Sequence, residues 1–280
     1  MRIIEWRVIV PMTVQQYQIA QIYAVAKKTL EDSNDKEGIE RTSSEMRKYN
    51  EKDALYSQYI YSFANKLPSA LRWVLPNTLS TLVEDCYDQF PYQHSHFVLK
   101  DNEKTLNMTV TTVVSEFQNN EENLIKNDAE LYTKEELAKR EIHYIDIVNW
   151  PTEEEGVKVG EFECPQANIE KLPKATVNNK DTLPEWVKEY KGPMVIARKI
   201  IRINIDIFAI GGPTEEFIGK QFMPNIYANS HQRMVLTAPS WFDIDLKKAR
   251  EYESDCYQKV QNMLASEVAP SHNVFYFIYF

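Results

Sequence analysis

The run Met194-Val-Ile-Ala-Arg-Lys-Ile-Ile-Arg-Ile-Asn-Ile-Asp-Ile-Phe208 constrains the fold of this chain more than any other segment, because it dictates one long strand with an apolar face. Side chains two apart in a strand share a face. One face carries Val195, Ala197, Lys199, Ile201, Ile203, Ile205 and Ile207, and the other carries Arg198, Ile200, Arg202, Asn204 and Asp206. Lys199 is therefore the only charge on the apolar face. A buried ammonium without a partner costs several kcal/mol or loses its proton. Three arrangements would relieve it. These are an internal salt bridge, a side chain that snorkels to the strand end, or an anion enclosed in an apolar cavity.

Composition narrows the function classes. The chain has 280 residues, enough for one large domain or two small ones, and 43% of them are hydrophobic. Only 7 glycines are present, and neither G-x-G-x-x-G nor G-x-x-x-x-G-K occurs, so the ordinary nucleotide-binding loops are missing. A net charge of −9 argues against a nucleic-acid partner and against a broad polybasic membrane patch. Cys86, Cys164 and Cys256 are isolated from one another, which suggests a reducing, cytoplasmic compartment. Met1 to Pro11 reads as a strand and not as a signal peptide, and no apolar run approaches the length of a membrane span.

Along the chain, residues 3–10 alternate as a strand that stops at Pro11. Thr13 and Gln16 form a capping-box pattern that opens a helix to about Leu30. On that helix Val14, Tyr17, Gln21 and Val25 share a stripe, which leaves Gln21 as a polar group on an apolar face. Residues 31–50 are charged and irregular. Strands are expected at 55–63, 79–90, 93–100 and 105–114, in the spacing of an antiparallel meander, with a Pro68–Pro76 connection that would hold a short helix. Thr112 shares a face with Leu106, Met108, Val110 and Val114. Residues 115–140 read as loop plus helix, 141–150 as another strand, and 151–192 as a long mobile segment with a helix near 183–190. Two helices close the chain. One spans 214–236 with a break at Pro224. The other is capped by Asp243 and ends near Leu264, with Glu253 in the stripe Leu246, Ala249, Cys256, Val260 and Met263. Residues 265–280 form an aromatic tail.

Catalytic chemistry is not visible. No G-x-S-x-G elbow occurs. His94 and His96 would share a strand face, but no second cluster with ligand spacing accompanies them, so no metal and no cofactor are expected. Instead Gln21, Thr112, Lys199 and Glu253 are four polar residues, each on an otherwise apolar face of a different element. Together they suggest a closed apolar cavity with a polar end, which a two-chain phospholipid would fill. Burying roughly 30 methylenes at about 0.8 kcal/mol each demands that the chains be enclosed. The apolar tip Ile207-Phe208 would then meet the bilayer during exchange, or else serve in ordinary turn packing.

The residues at this point resemble a known family, the class I phosphatidylinositol transfer proteins. The resemblance rests on Trp6-Arg-Val-Ile-Val-Pro11, Tyr17-Gln18, Gln21-Ile-Tyr23, Tyr56-Ser57, Ile60-Tyr61 and Lys66-Leu-Pro68. It continues in order through Phe90-Pro-Tyr92, Tyr144-Ile-Asp-Ile147, Phe217-Ile218, Lys220-Gln221 and Trp241-Phe-Asp243. The resemblance implies an α+β START-like helix-grip fold, in which a curved antiparallel sheet and long helices enclose one lipid cavity in a single domain. It implies no enzyme, but a monomeric, cytoplasmic carrier that associates transiently with a membrane surface and carries phosphatidylinositol or phosphatidylcholine as cargo. A carrier without inositol preference, or a regulatory scaffold that presents bound lipid to a kinase, are the alternatives.

The same resemblance assigns site residues. The phosphate contacts fall on Gln21, Ser95, Thr112 and Lys199, with serine replacing one threonine. The inositol contacts fall on Ser57, Tyr59, Asp88 and Glu253. Tyr59 stands for a lysine and Asp88 for an asparagine, so one positive charge is lost and one negative charge gained beside the headgroup. Gln93 takes the place of a cavity cysteine, and the membrane-inserting tryptophan pair falls on Ile207 and Phe208.

Overall fold

A computed structural model describes residues 1–34, 38–62, 81–100, 102–118, 128–151, 158–173, 180–207 and 210–265. Eight strands form one curved open sheet: β1 Arg2–Val10, β2 Gly38–Tyr49, β3 Lys52–Ser62, β4 Thr81–Gln89, β5 Tyr92–Leu99, β6 Leu106–Glu116, β7 Glu141–Ile145 and β8 Val195–Ile205. Their spatial order is β2-β3-β4-β5-β6-β8-β1-β7. The meander β2 to β6 is antiparallel throughout, and β8 runs antiparallel between β6 and β1. The sheet is mixed and not purely antiparallel, because β7 lies parallel to β1. β7 is also shorter than the expected 141–150. The Asp146 carboxylate accepts the backbone N–H groups of Val148 and Asn149 and turns the chain.

One further expectation about the meander needs correction. The charged stretch 31–50 contains strand β2 at the sheet edge. Its hairpin to β3 turns through Asn50 and Glu51, both at positive φ (48° and 66°), a pair that closes a two-residue hairpin with the twist of its strands. The Pro68–Pro76 connection lies outside the described residues.

Helix α1, Val14–Asp32, starts at Thr13, whose side chain and that of Gln16 satisfy each other's backbone N–H groups. Two short helices follow β6, α2 at Asp128–Leu131 and α3 at Lys134–Lys139, and α4 is Trp186–Glu189. After β8 come α5 Gly211–Phe217, a π turn Ile218–Phe222, α6 Met223–Leu236, α7 Ala238–Trp241 and α8 Leu246–Ala265. Gly211 opens α5 where a β-carbon would stand 2.3 Å from the Ile205 carbonyl oxygen, so only glycine lets the chain turn back here. The expected break at Pro224 is a widened turn and not an interruption. Met223 N–H bonds back to Ile218 O, the chain stays helical, and Pro224 sits in the first turn of α6. Asp245, not Asp243, caps α8 by accepting Lys248 N–H at 2.8 Å.

The two sheet faces differ. Toward α1, α6 and α8, β1 and β8 bury Ile4, Trp6, Val8, Ala197, Ile201 and Ile203. Trp6 Nε1 donates to Gly219 O at 2.8 Å and ties the π turn to the sheet. On the opposite face a buried ion network joins Glu5 to Arg7 (2.7 Å) and Arg198 (2.8 Å), and Arg198 and Arg140 to Asp128 (2.6 and 2.7 Å). The described parts of 151–192 are anchored to the main core through Val159, Cys164, Ile169, Leu172, Trp186 and Tyr190. Among the described residues no helix is long and apolar enough to cross a membrane.

Candidate functional site

Strand register sets the chemistry of the face that the helices cover. Opposed residues in paired strands share a face, so lateral rows can be read across the sheet. One row runs Leu55, Asp88, Gln93, Thr112, Lys199. The next runs Ser57, Cys86, Ser95, Val110, Ile201, and the next Tyr59, Glu84, Phe97, Met108, Ile203. Beyond these lie Leu82 opposite Leu99 and Leu106 opposite Ile205. Polarity therefore falls from one end of the face to the other.

A cavity of about 790 Å³ occupies this face. It is near the upper end of the range for small-ligand sites. Gln21 from α1, Ser57 and Tyr59 from β3, Asp88 from β4, Gln93 and Ser95 from β5, Thr112 from β6, Lys199 from β8 and Glu253 from α8 all line it. Seven elements thus bring these side chains to one space. Leu99, Leu106, Met108, Ile218, Phe222 and Met223 supply much of the apolar wall.

Lys199 is 7% exposed, which excludes snorkelling, and among the described residues no carboxylate forms an ion pair with it. Its ammonium lies over the Tyr227 ring, 5.5 Å from the centroid. Burial pulls its pKa down to about 8, against the opposing influence of Cys86 and Glu84. Gln93 bridges its neighbours. It accepts from Gln21 Nε2 at 3.4 Å and donates to Cys86 Sγ at 3.3 Å.

At the other end of the polar row, Asp88 and Glu253 are already partnered. Arg250 donates to Asp88 Oδ2 at 2.5 Å and to both Glu253 oxygens at 3.1 and 3.3 Å. Arg41 approaches Glu253 at 3.6 Å and stacks over Tyr257 at 4.6 Å. A bulge between Arg41 and Ser43 in β2 puts Arg41 and Ser44 on the same face, opposite Tyr59 and Ser57. Two carboxylates and two guanidinium groups cancel, so the negative charge that Asp88 introduces is locally balanced.

Four lining or adjoining residues were not singled out from sequence: Glu84, Arg41, Arg250 and Tyr227. Glu84 alternates with Leu82 and Cys86, but the adjacent Asp85 hides it in an acidic pair. It is buried, bonded by Tyr61, and its carboxyl is pushed up by burial, against hydrogen bonds from Ser95 and Tyr61. Arg250 stands three residues before Glu253 on α8, a spacing that could have flagged it. For Arg41 and Tyr227 no pattern in the sequence gives a cue.

Ile207 does not line the cavity. It is half-buried and packs against the main core, and its carbonyl accepts Gly211 N–H at 2.9 Å. Phe208 and the tail 266–280 lie outside the described residues. His94 sits on the opposite sheet face, stacked 5.3 Å from Tyr49 and 3.2 Å from Thr111 Oγ1. Among the described residues no three His, Cys, Asp or Glu side chains gather as a metal site.

Comparison with known proteins places this architecture. Residues 1–258 match the family model described as phosphatidylinositol transfer protein. The chain belongs to the phosphatidylinositol transfer protein family. It is 25% identical over 271 residues to Phosphatidylinositol transfer protein 2 of Dictyostelium discoideum, covering 96% of this chain and 99% of that one. It is also similar to the beta isoform of human phosphatidylinositol transfer protein, at 24% identity over 274 residues, covering 92% of this chain and 93% of that one. Phosphatidylinositol transfer protein 5 of Dictyostelium discoideum is 22% identical over 257 residues, 92% and 85% of the two chains.

Proposed function

We propose that this family member holds one phospholipid in the 790 Å³ cavity and carries it between membranes without chemical turnover. The observation that carries this reading is Lys199. It is a buried ammonium with no ion-pair partner among the described residues, on the wall of an otherwise largely apolar cavity. Keeping such a charge buried is costly unless an anion lies beside it. Gln21, Ser95 and Thr112 offer further donors along the same wall, and the four together suit a phosphodiester. Acyl chains would lie against the Leu99, Leu106 and Met108 end.

The headgroup would sit by Ser57, Tyr59, Asp88 and Glu253. Arg250 and Arg41 neutralise the two carboxylates there, so an uncharged polyol such as inositol meets acceptors and donors with no net field. A second reading, phosphatidylcholine, rests on the tyrosines. Tyr59 and Tyr257 are 5.5 Å apart and both line the cavity near Glu84, and aromatic faces with a carboxylate suit a quaternary ammonium. Both cargoes share the phosphate, so both depend on Lys199. Transfer of labelled lipid between vesicles tests this. Lys199→Ala should abolish transfer of phosphatidylinositol and phosphatidylcholine alike in a folded protein, because a charge-assisted contact common to both is lost. Parental rates with either lipid would overturn the assignment.

A further inference from the structure

A second group beside Lys199 has the properties of a ligand. Tyr227 on α6 lines the cavity, the residue is only 7% exposed, and its hydroxyl finds no hydrogen-bond partner among the described residues. Buried tyrosine hydroxyls elsewhere are satisfied. Tyr17 Oη meets His231 Nε2 at 3.0 Å, and Tyr132 donates to Glu5. Leaving a buried hydroxyl unpaired is unfavourable, so an orphan in a ligand cavity points to a missing partner. Its position is also fixed. His231, one helical turn on, has Nδ1 2.6 Å from the Tyr227 carbonyl oxygen and its other nitrogen on Tyr17. The carbonyl requires the proton on Nδ1, so Nε2 accepts from the Tyr17 hydroxyl, and α6 is pinned to α1 at the level of Tyr227.

We propose that Tyr227 is an additional phosphate ligand, its ring packed against the Lys199 ammonium and its hydroxyl donating to a phosphate oxygen. Burial pushes the pKa of this phenol up, so it remains a neutral donor at every physiological pH. The proposal rests on the reading of Lys199 as the phosphate-binding cation, but adds a residue from a helix that the resemblance assigned no contact. An uncharged donor beside the cation orients the phosphate without changing the charge count. The same chemistry would accept a phosphodiester within a lipid or a free phosphate ion.

Tyr227→Phe isolates the hydroxyl, since the ring and its contact with Lys199 persist. The full-length variant, the parent and Lys199→Ala are loaded from phosphatidylcholine vesicles containing phosphatidylinositol, and bound lipid per chain is measured. Melting of the lipid-free proteins is followed with and without inorganic phosphate. Tyr227→Phe should weaken loading of both lipids by a similar factor, on the order of tenfold for one hydrogen bond to a charged group. The lipid-free variant should melt at the parental temperature or above it, because an unpaired buried polar group has been removed. Parental loading in Tyr227→Phe, with loading lost in Lys199→Ala, overturns the proposal and leaves the Lys199 reading standing. Parental loading in both overturns the two together. A lower melting temperature in the lipid-free variant would reveal an internal partner and also overturn it. So would a Tyr227-dependent rise in melting temperature with inorganic phosphate alongside unchanged lipid loading, which would assign the hydroxyl to free phosphate.

Discussion

Arg250 changes what Asp88 and Glu253 can do. Unpaired, the two acids would repel a phosphate lying farther along the same row. Held by one guanidinium, they present fixed oxygens to a neutral ligand, and Arg41 completes the balance. Glu253→Ala should therefore lower phosphatidylinositol transfer by roughly tenfold while sparing phosphatidylcholine, since a single hydrogen bond to a polyol is removed. Vesicle transfer of the two lipids in parallel measures it, and equal loss of both would place Glu253 in the helix packing instead. At this scale the sequence exposes a polar residue only where its strand or helix is otherwise apolar. Lys199 and Thr112 stand out by that contrast. Arg41 does not, because its strand is charged throughout and a bulge decides which way it faces.

The elements that alternate cleanly were legible, and those at the sheet edges were not. β1 and β8 bury one apolar face each, and α1 carries its own capping box, so their period and bounds follow from the residues. β2 is an edge strand that is largely exposed, and edge strands carry charge to resist pairing with other chains. Its sequence therefore looks like a loop. The parallel pairing of β7 depends on how the chain from β6 returns across the far side of the sheet. That face holds the Glu5, Arg7, Arg198, Arg140 and Asp128 network, whose consequence is pH-dependent stability. Burial raises the Glu5 pKa, but the Arg198 hydrogen bond and the charges of Arg198 and Arg7 prevail and set it at about 2, below its ordinary 4.5. A depressed carboxylate stabilises the fold above its unfolded pKa, and the contribution disappears as pH falls from about 4.5 through about 2. The amount is roughly 3 kcal/mol. Urea denaturation of the parent should show this loss. Glu5→Gln should be less stable by about 3–5 kcal/mol at pH 7, since its arginines lose their partner, and should lose less on acidification. An unchanged acid dependence in Glu5→Gln would contradict the account.

For the whole molecule, the useful property is the gradient across one sheet face. The strand registers place Lys199, Thr112, Gln93 and Asp88 in a row at one end and leucines, methionine and isoleucines at the other. The helices α1, α6 and α8 close over that gradient, and Val25 and Ile226, both exposed, also border the cavity. An amphiphile with a buried head and enclosed chains matches this order. The position of each polar group was legible one strand at a time, whereas the row they form depends on register, which no single segment encodes. Native mass spectrometry of the purified protein addresses the central claim directly. The account predicts one phospholipid per chain, retained by the parent and lost in Lys199→Ala. A parent protein that is repeatedly empty after exposure to phosphatidylinositol and phosphatidylcholine vesicles would contradict it.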